Sequence, residues 1–274
     1  MPEGDTIVRT ATSLRTWLGG RTVTGVRTVL PNLPVGRLIG RIVGEISTIG
    51  KNLLISFVGD HADDVLVLHT HMRMTGSWHV YPAGVSWRKP ARQARVVIEA
   101  GDRIAVCFNA PVIELAGPGS TRRRRSLSGL GPDVLVEPLD VDRLLGCLDS
   151  TSTGYALGEL LLDQRVVCGI GNIYRCEALF LEGHHPWTAR GALDDEAVVA
   201  LVRRAGQLMH ANLRTAAAPT DSVGREFGAG GNRTWVYRRA GLGCRLCGTA
   251  ISARGQGPLA RRAYWCPACQ VQVT

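Results

Sequence analysis

Apolar positions set the first division of the chain. Ile7, Ala11, Leu14 and Leu18 recur at spacings of 4, 3 and 4, which places four side chains on one face and predicts a helix over residues 6–18. Asp5 or Thr6 is its expected cap and Gly19-Gly20 its stop. From residue 21 to residue 115 the pattern shortens to runs rich in valine and isoleucine. Strands are predicted over 22–29, 42–49, 53–58, 65–71, 94–100 and 104–108, parted by turns such as Gly59-Asp60 and Gly101-Asp102. Six such strands predict a two-layer, mostly antiparallel β-sandwich carrying the N-terminal helix. Beyond residue 134 the period lengthens again. Amphipathic helices are predicted over 141–148 and 193–214. Residues 157–179 read as a helix, two turns around Gly169 and Gly171, and a second helix capped by Asn172.

Residues 117–133 interrupt both patterns. Gly-Pro-Gly-Ser-Thr is followed by Arg122-Arg123-Arg124-Arg125 and a second glycine-rich run, the composition of a basic linker. The expected division is therefore a β-sandwich domain over 1–116, the linker over 117–133, a helical domain over 134–225 and a small terminal module over 226–274. The fold class is multi-domain α+β. The terminal module holds Cys244-Arg-Leu-Cys247, eighteen residues, then Cys266-Pro-Ala-Cys269. Two C-x2-C pairs at this separation predict a structural Zn2+ held by four thiolates, on a β-hairpin turned at Gly255, Gly257 and Pro258. Arg261 and Arg262 fall on its return strand. Cys107, Cys147, Cys168 and Cys176 are scattered among apolar or helical positions and read as reduced packing residues.

Charge narrows the partner. The 274-residue chain carries a formal net charge of +9, and no acid follows Glu226 although seven arginines do. That balance suggests a polyanion, nucleic acid first. With 45% hydrophobic residues the chain builds real cores, and no apolar run reaches the length of a membrane span. Acids at positions 3 and 5 with no apolar run after them predict no secretory leader, hence a cytoplasmic protein. With a nucleic-acid partner it is expected to be nucleoid-associated, and it is expected to be a monomer. Lysine occurs twice, as Lys51 and Lys89, in a chain that otherwise uses arginine. A lysine retained against that bias suggests a place where an amine is needed. Lys51 sits in the tight turn Ile49-Gly50-Lys51-Asn52, where simple solvation is the plainer reading.

Candidate chemistry gathers at the start of the chain. Loss of Met1 makes Pro2 an N-terminal secondary amine, which no side chain supplies. Such an amine forms an iminium at a sugar C1′ without losing a second proton. Its pKa is expected at roughly 7.7–8, so part of it is free near neutrality. The following helix points its positive end at Pro2 and disfavours the protonated amine. Glu3 is a carboxyl placed to give or take a proton. Further along, Gly169-Ile170-Gly171 before a helix start is a candidate phosphate site. Met72-Arg73-Met74 reads either as a loop tip able to wedge into a base stack or as core methionine. His69 and His71 share a strand face without further ligands and read as a strand pair.

Taken together these motifs resemble the Fpg/Nei family of DNA glycosylases over nearly the whole chain. The matching segments are Pro2-Glu3-Gly4, Gly50-Lys51-x-Leu53-Leu54, Leu130-Gly131-Pro132-Asp133, Leu161-Leu162-Asp163-Gln164-Arg165, Gly169-Ile170-Gly171-Asn172-Ile173-Tyr174, and the four cysteines ending Cys269-Gln270. The Pro-Glu-Gly opening is similar to the endonuclease VIII branch. The resemblance implies a β-sandwich joined to a helix–two-turn–helix domain and a zinc finger, with damaged double-stranded DNA in the cleft and the damaged nucleotide flipped out. It implies Pro2 as nucleophile, Glu3 as proton donor for ring opening, Lys51 as a phosphate contact that supports the chemistry, and Arg261 and Asn172 as phosphate ligands. Met74 takes the wedge position. The implied reaction is removal of oxidised bases, pyrimidines for this branch, followed by strand cleavage through elimination. Two alternatives stand beside it: an 8-oxoguanine and formamidopyrimidine glycosylase, and a DNA-binding protein that has lost base excision. The chain departs from the family at Asp5-Thr6, where Pro-Glu is common. It departs again at Arg73 and Thr75 in the wedge, and at Tyr237-Arg238-Arg239, where Tyr-Gly-Arg is usual.

Overall fold

The computed structural model describes residues 2–61, 63–117, 127–215 and 234–272; the Arg122-Arg123-Arg124-Arg125 run of the linker lies outside them. Among the described residues, those up to Gly129 form one compact unit and those from Leu130 onward form the other.

The first unit opens with helix α1 (Gly4–Leu18). Eight strands follow: β1 (Val23–Thr28), β2 (Ile42–Ile49), β3 (Asn52–Val58), β4 (Val65–His71), β5 (Ser77–Pro82), β6 (Ala94–Ala100), β7 (Arg103–Phe108) and β8 (Val112–Ala116). They make two four-stranded sheets in the orders β1-β6-β7-β5 and β2-β3-β4-β8, every pairing antiparallel. The alternation read from the sequence is the alternation of burial. Leu53, Ile55 and Phe57 of β3 and Leu66 and Leu68 of β4 share one core with Val96, Ile98, Ala105 and Cys107 of the other sheet. The helix face Ile7, Ala11, Leu14 and Leu18 closes that core, with all four side chains at most 1% exposed. Arg15 ties α1 to the sheet by donating from Nε to the Ile46 carbonyl at 2.6 Å. Strands β5 and β8 were not among the predicted six. Both are edge strands in which proline, histidine or a half-buried position breaks the two-residue alternation, so pairing rather than pattern places them.

The second unit holds helices α2 (Val141–Asp149), α3 (Leu157–Leu160), α4 (Asn172–Leu181) and α5 (Asp195–Thr215), and the hairpin of β9 (Ser252–Gln256) and β10 (Arg261–Trp265). Asp140 caps α2, accepting from the Arg143 N–H at 3.0 Å. Gly131 and Asp133, at the end of the predicted linker, are built into this unit. Gly131 donates to the Gln164 carbonyl at 2.9 Å, and a Cβ there would stand 2.2 Å from the Val166 carbonyl oxygen, so only glycine fits. No helix among the described residues is long and apolar enough to cross a membrane.

Candidate active site and nucleic-acid interface

The helix start decides what surrounds Pro2. The N-cap is Glu3, with extended backbone (φ −122°, ψ 178°), and its carbonyl accepts from the Thr6 and Ile7 N–H groups at 2.9 and 3.1 Å. The expected caps Asp5 and Thr6 instead lie inside the first turn. They do so because the helix begins two residues before the predicted start at residue 6, and Gly4 and Asp5 add nothing to the apolar period that set that start. Pro2 therefore stands directly ahead of the positive end of a 15-residue helix dipole. Glu3 is fully buried. Asp5, also fully buried, accepts from the Thr6 N–H at 2.7 Å and from Arg9 at 3.1 Å. Its carboxylate is thus engaged by its own helix.

Lys51 occupies the β2–β3 turn, closed by the Ile49–Asn52 pair with Gly50 at φ +57°. His71 lies beside it. Burial, then the Lys51 and Arg73 cations, pull His71 from its ordinary value down to about 4, so its ring is neutral at physiological pH. The sequence left Met72-Arg73-Met74 open between a loop tip and a core position, and the structure divides it. Met72 is 1% exposed and belongs to the core, whereas Met74 is 61% exposed. The tip is tight: Gly76 donates to the Met72 carbonyl at 2.8 Å, a Cβ on Gly76 would meet that oxygen at 2.6 Å, and Arg73 takes φ +44°.

In the second unit the two turns are braced by Gln164, whose Oε1 accepts from the Gly169 N–H at 3.1 Å and whose Nε2 donates to the Ile170 carbonyl at 3.1 Å. The N-cap of α4 is Gly171, not Asn172. Asn172 is the first helical residue because its amide is used elsewhere: Nδ2 donates to the Arg262 carbonyl at 3.0 Å. One Nδ2 hydrogen remains for a ligand. Arg175, fully buried on the same helix, donates to the Gln256 side chain at 3.0 Å and to the Arg261 carbonyl at 3.4 Å. Helix α4 thus holds the strand that carries Arg261 by two consecutive carbonyls. Glu177, equally buried, accepts from the N–H groups of Trp235, Val236 and Tyr237 at 2.6, 3.1 and 2.8 Å. Burial pushes its carboxyl up while those three donors favour the charged form. Arg175 and Glu177 sit mid-helix in an apolar surrounding. Sequence reasoning passed over them, although a buried Arg-x-Glu in an otherwise apolar helix is itself a signal.

The four sulfurs of Cys244, Cys247, Cys266 and Cys269 lie within 4.8 Å of one another, with neighbouring pairs at 3.5 to 3.9 Å. A tetrahedral ion with sulfur at about 2.3 Å requires sulfur–sulfur edges of about 3.8 Å, so these residues fit a metal ion. Gln270 supports the cluster by accepting from the Cys266 N–H at 2.9 Å.

Arg238 has φ +58°, a conformation suited to glycine, in a segment where the resembled family usually has glycine. Arg238→Gly is expected to raise stability by about 1 kcal/mol. A denaturant midpoint that stays put or falls would contradict that strain.

An N-terminal helix on a β-sandwich, a two-turn helical element and a four-cysteine hairpin define the class: a helix–two-turn–helix protein with a finger. The chain matches the formamidopyrimidine-DNA glycosylase N-terminal domain over residues 1–111 and the formamidopyrimidine-DNA glycosylase H2TH domain over residues 130–222. It is 37% identical to the probable endonuclease 8 2 of Streptomyces coelicolor, over 98% of this chain and 94% of that one. It is 34% identical to the DNA-(apurinic or apyrimidinic site) lyase Nei2 of Mycolicibacterium smegmatis, over 98% and 99%. The chain belongs to the Fpg/Nei family of DNA glycosylases. The fold is also that of Lactococcus lactis Fpg in complex with N7-benzyl-Fapy-dG DNA, with a TM-score of 0.80 at 20% identity, covering 99% of this chain and 100% of that one.

Proposed function

We propose that this protein is a base excision repair enzyme, a DNA glycosylase with AP lyase activity acting on damaged duplex DNA. The observation that carries the reading is the opening of α1, where a buried Glu3 forms the N-cap and Pro2 stands ahead of the helix dipole. Removal of Met1 frees the Pro2 amine. Its lone pair forms the N–C1′ bond as the glycosidic bond breaks and the base leaves. The adduct nitrogen loses its N–H proton to water, and Glu3 delivers a proton to O4′ as the nitrogen lone pair opens the sugar ring, which leaves an iminium on Pro2. Loss of a C2′ proton then expels the 3′ phosphate and cuts the strand. Lys51, with neutral His71 beside it, supplies the cation that meets a backbone phosphate near the flipped nucleotide. Asn172 with the N–H end of α4 at Gly171, and Arg261 on β10, bind further phosphates. Met74, with Arg73 behind it, fills the space that the nucleotide vacates, as its exposed position on a tight tip permits. The metal held by the four cysteines is Zn2+, which supplies no chemistry and fixes the hairpin that carries Arg261.

Oxidised pyrimidines are the assigned substrates, on the strength of the Pro2-Glu3-Gly4 opening and of relatives named endonuclease 8. Single-turnover assays on duplexes bearing thymine glycol, 5-hydroxyuracil, 8-oxoguanine or a preformed abasic site test the whole reading. Cleavage of the abasic site and release of both pyrimidines ahead of 8-oxoguanine are expected. Faster release of 8-oxoguanine would move the chain to the formamidopyrimidine branch. Cleavage of the abasic site alone would leave it a lyase, and binding without cleavage would remove the enzyme assignment.

A further inference from the structure

Behind the Lys51 turn lies a buried polar chain that the reaction as described does not use. Asn52, the residue after Lys51, is 8% exposed, and its Nδ2 donates across the turn to the Ile49 carbonyl at 3.0 Å. That donor fixes the amide orientation, so Oδ1 must accept. Nε2 of His69 lies 2.9 Å from Oδ1 and therefore carries a proton. His69 is itself 2% exposed, and its Nδ1 stands 3.7 Å from Oε2 of Glu114. His69 and Glu114 are register partners across β4 and β8, as Asn52 and His71 are across β3 and β4. The hydrogen bonds thus run from an imidazole on one strand to an amide on the next that clasps the turn, with a carboxylate 3.7 Å beyond the imidazole. These side chains occupy the sheet face opposite the one that gives Leu53, Ile55 and Leu68 to the core. Apolar residues at these positions would satisfy the sheet equally well, and each buried polar group costs free energy unless it is bonded. A turn that needed only closure has it already from Gly50 and the Ile49–Asn52 pair.

We propose that Asn52 and His69 are positioning residues for Lys51, holding the turn so that its ammonium meets the DNA backbone in one geometry. The inference rests on the reading of Lys51 as a group that supports the reaction. Of the charged and titratable groups nearby, Glu114 stands against His69, and the cations of Lys51 and Arg73 act on His71. A misplaced supporting group changes the rate of the chemical step more than it changes affinity.

The test is single-turnover cleavage of an abasic-site duplex at saturating protein, with DNA affinity and melting temperature measured beside it. Asn52→Leu, His69→Leu and His69→Gln are each made with Lys51 present and with Lys51→Ala. Asn52→Leu and His69→Leu are expected to slow cleavage by about 10- to 100-fold, the scale of a small misplacement, with affinity little changed. His69→Gln, whose amide can still donate to Asn52, should restore most of the rate. With Lys51→Ala, adding Asn52→Leu should slow the reaction no further. Equal slowing in both backgrounds, or slowing by His69→Gln as deep as by His69→Leu, overturns the positioning role alone. A Lys51→Ala protein that cleaves at the full rate overturns the reading of Lys51, and the positioning role with it. If Asn52→Leu lowers the melting temperature too far to assay, the His69→Gln and His69→Leu pair decides the matter.

Discussion

Extending the chain ahead of Pro2 by residues that cannot be removed is expected to abolish borohydride trapping on abasic DNA. An extended Pro2 nitrogen is an amide, its lone pair is delocalised, and no iminium forms. In the unextended protein, mass spectrometry should place the reduced adduct on the peptide that begins at Pro2 with Met1 gone. Pro2→Gly keeps an N-terminal amine but makes it primary, so trapping should fall without vanishing. Glu3→Gln should slow release of a damaged base by about 10²- to 10⁴-fold, the usual worth of a placed proton donor. It should slow lyase action on a preformed abasic site less, because the hemiacetal of an abasic sugar opens to the aldehyde without the donor. The rival amine is Lys51, in the β2–β3 turn. An adduct on Lys51, or trapping that survives the blocked terminus, would end the assignment of Pro2.

The second large effect concerns the cysteine cluster. Purified protein should hold one zinc per chain, and Cys266→Ala is expected to lose it. Cys266 is fully buried, and structural zinc sites contribute about 10–16 kcal/mol of apparent binding free energy, which is folding free energy for a module of this size. The hairpin of β9 and β10 should then unfold and take Arg261 with it. Trp265 lies 5.1 Å from Trp187, so their fluorescence should report the loss directly. The expected outcome is a protein whose affinity for duplex DNA collapses, while the far-ultraviolet signal of the β-sandwich persists because that core shares no residue with the cluster. Folded, DNA-cleaving protein with no zinc would show that the four sulfurs need no metal.

Features that depend on local period or fixed spacing were legible before any folding. The 4-3-4 apolar spacing of α1 set which helix face is buried. The predicted bounds of β2, β4 and β6 agree with the structure to the residue, and the two C-x2-C pairs marked four sulfurs that do converge. These features are legible because a helix face, a strand face or a thiolate pair is written in neighbouring residues. Other features were left to the tertiary structure. It separated Met72 from Met74, burying one and exposing the other, because a two-residue step in a tight turn reverses the side chain's environment. It moved the cap of α1 to Glu3 and that of α4 to Gly171, because the Asn172 amide found a carbonyl 90 residues away. It turned His69 from an apparent strand pair into a hydrogen-bond partner of Asn52, with Glu114 standing 3.7 Å away. It also placed Arg175 and Glu177 as buried clamps on the finger segment. A polar side chain's role depends on which donors and acceptors it meets once its solvent is removed, and those partners lie far apart along the chain until the strands pair and the helices pack.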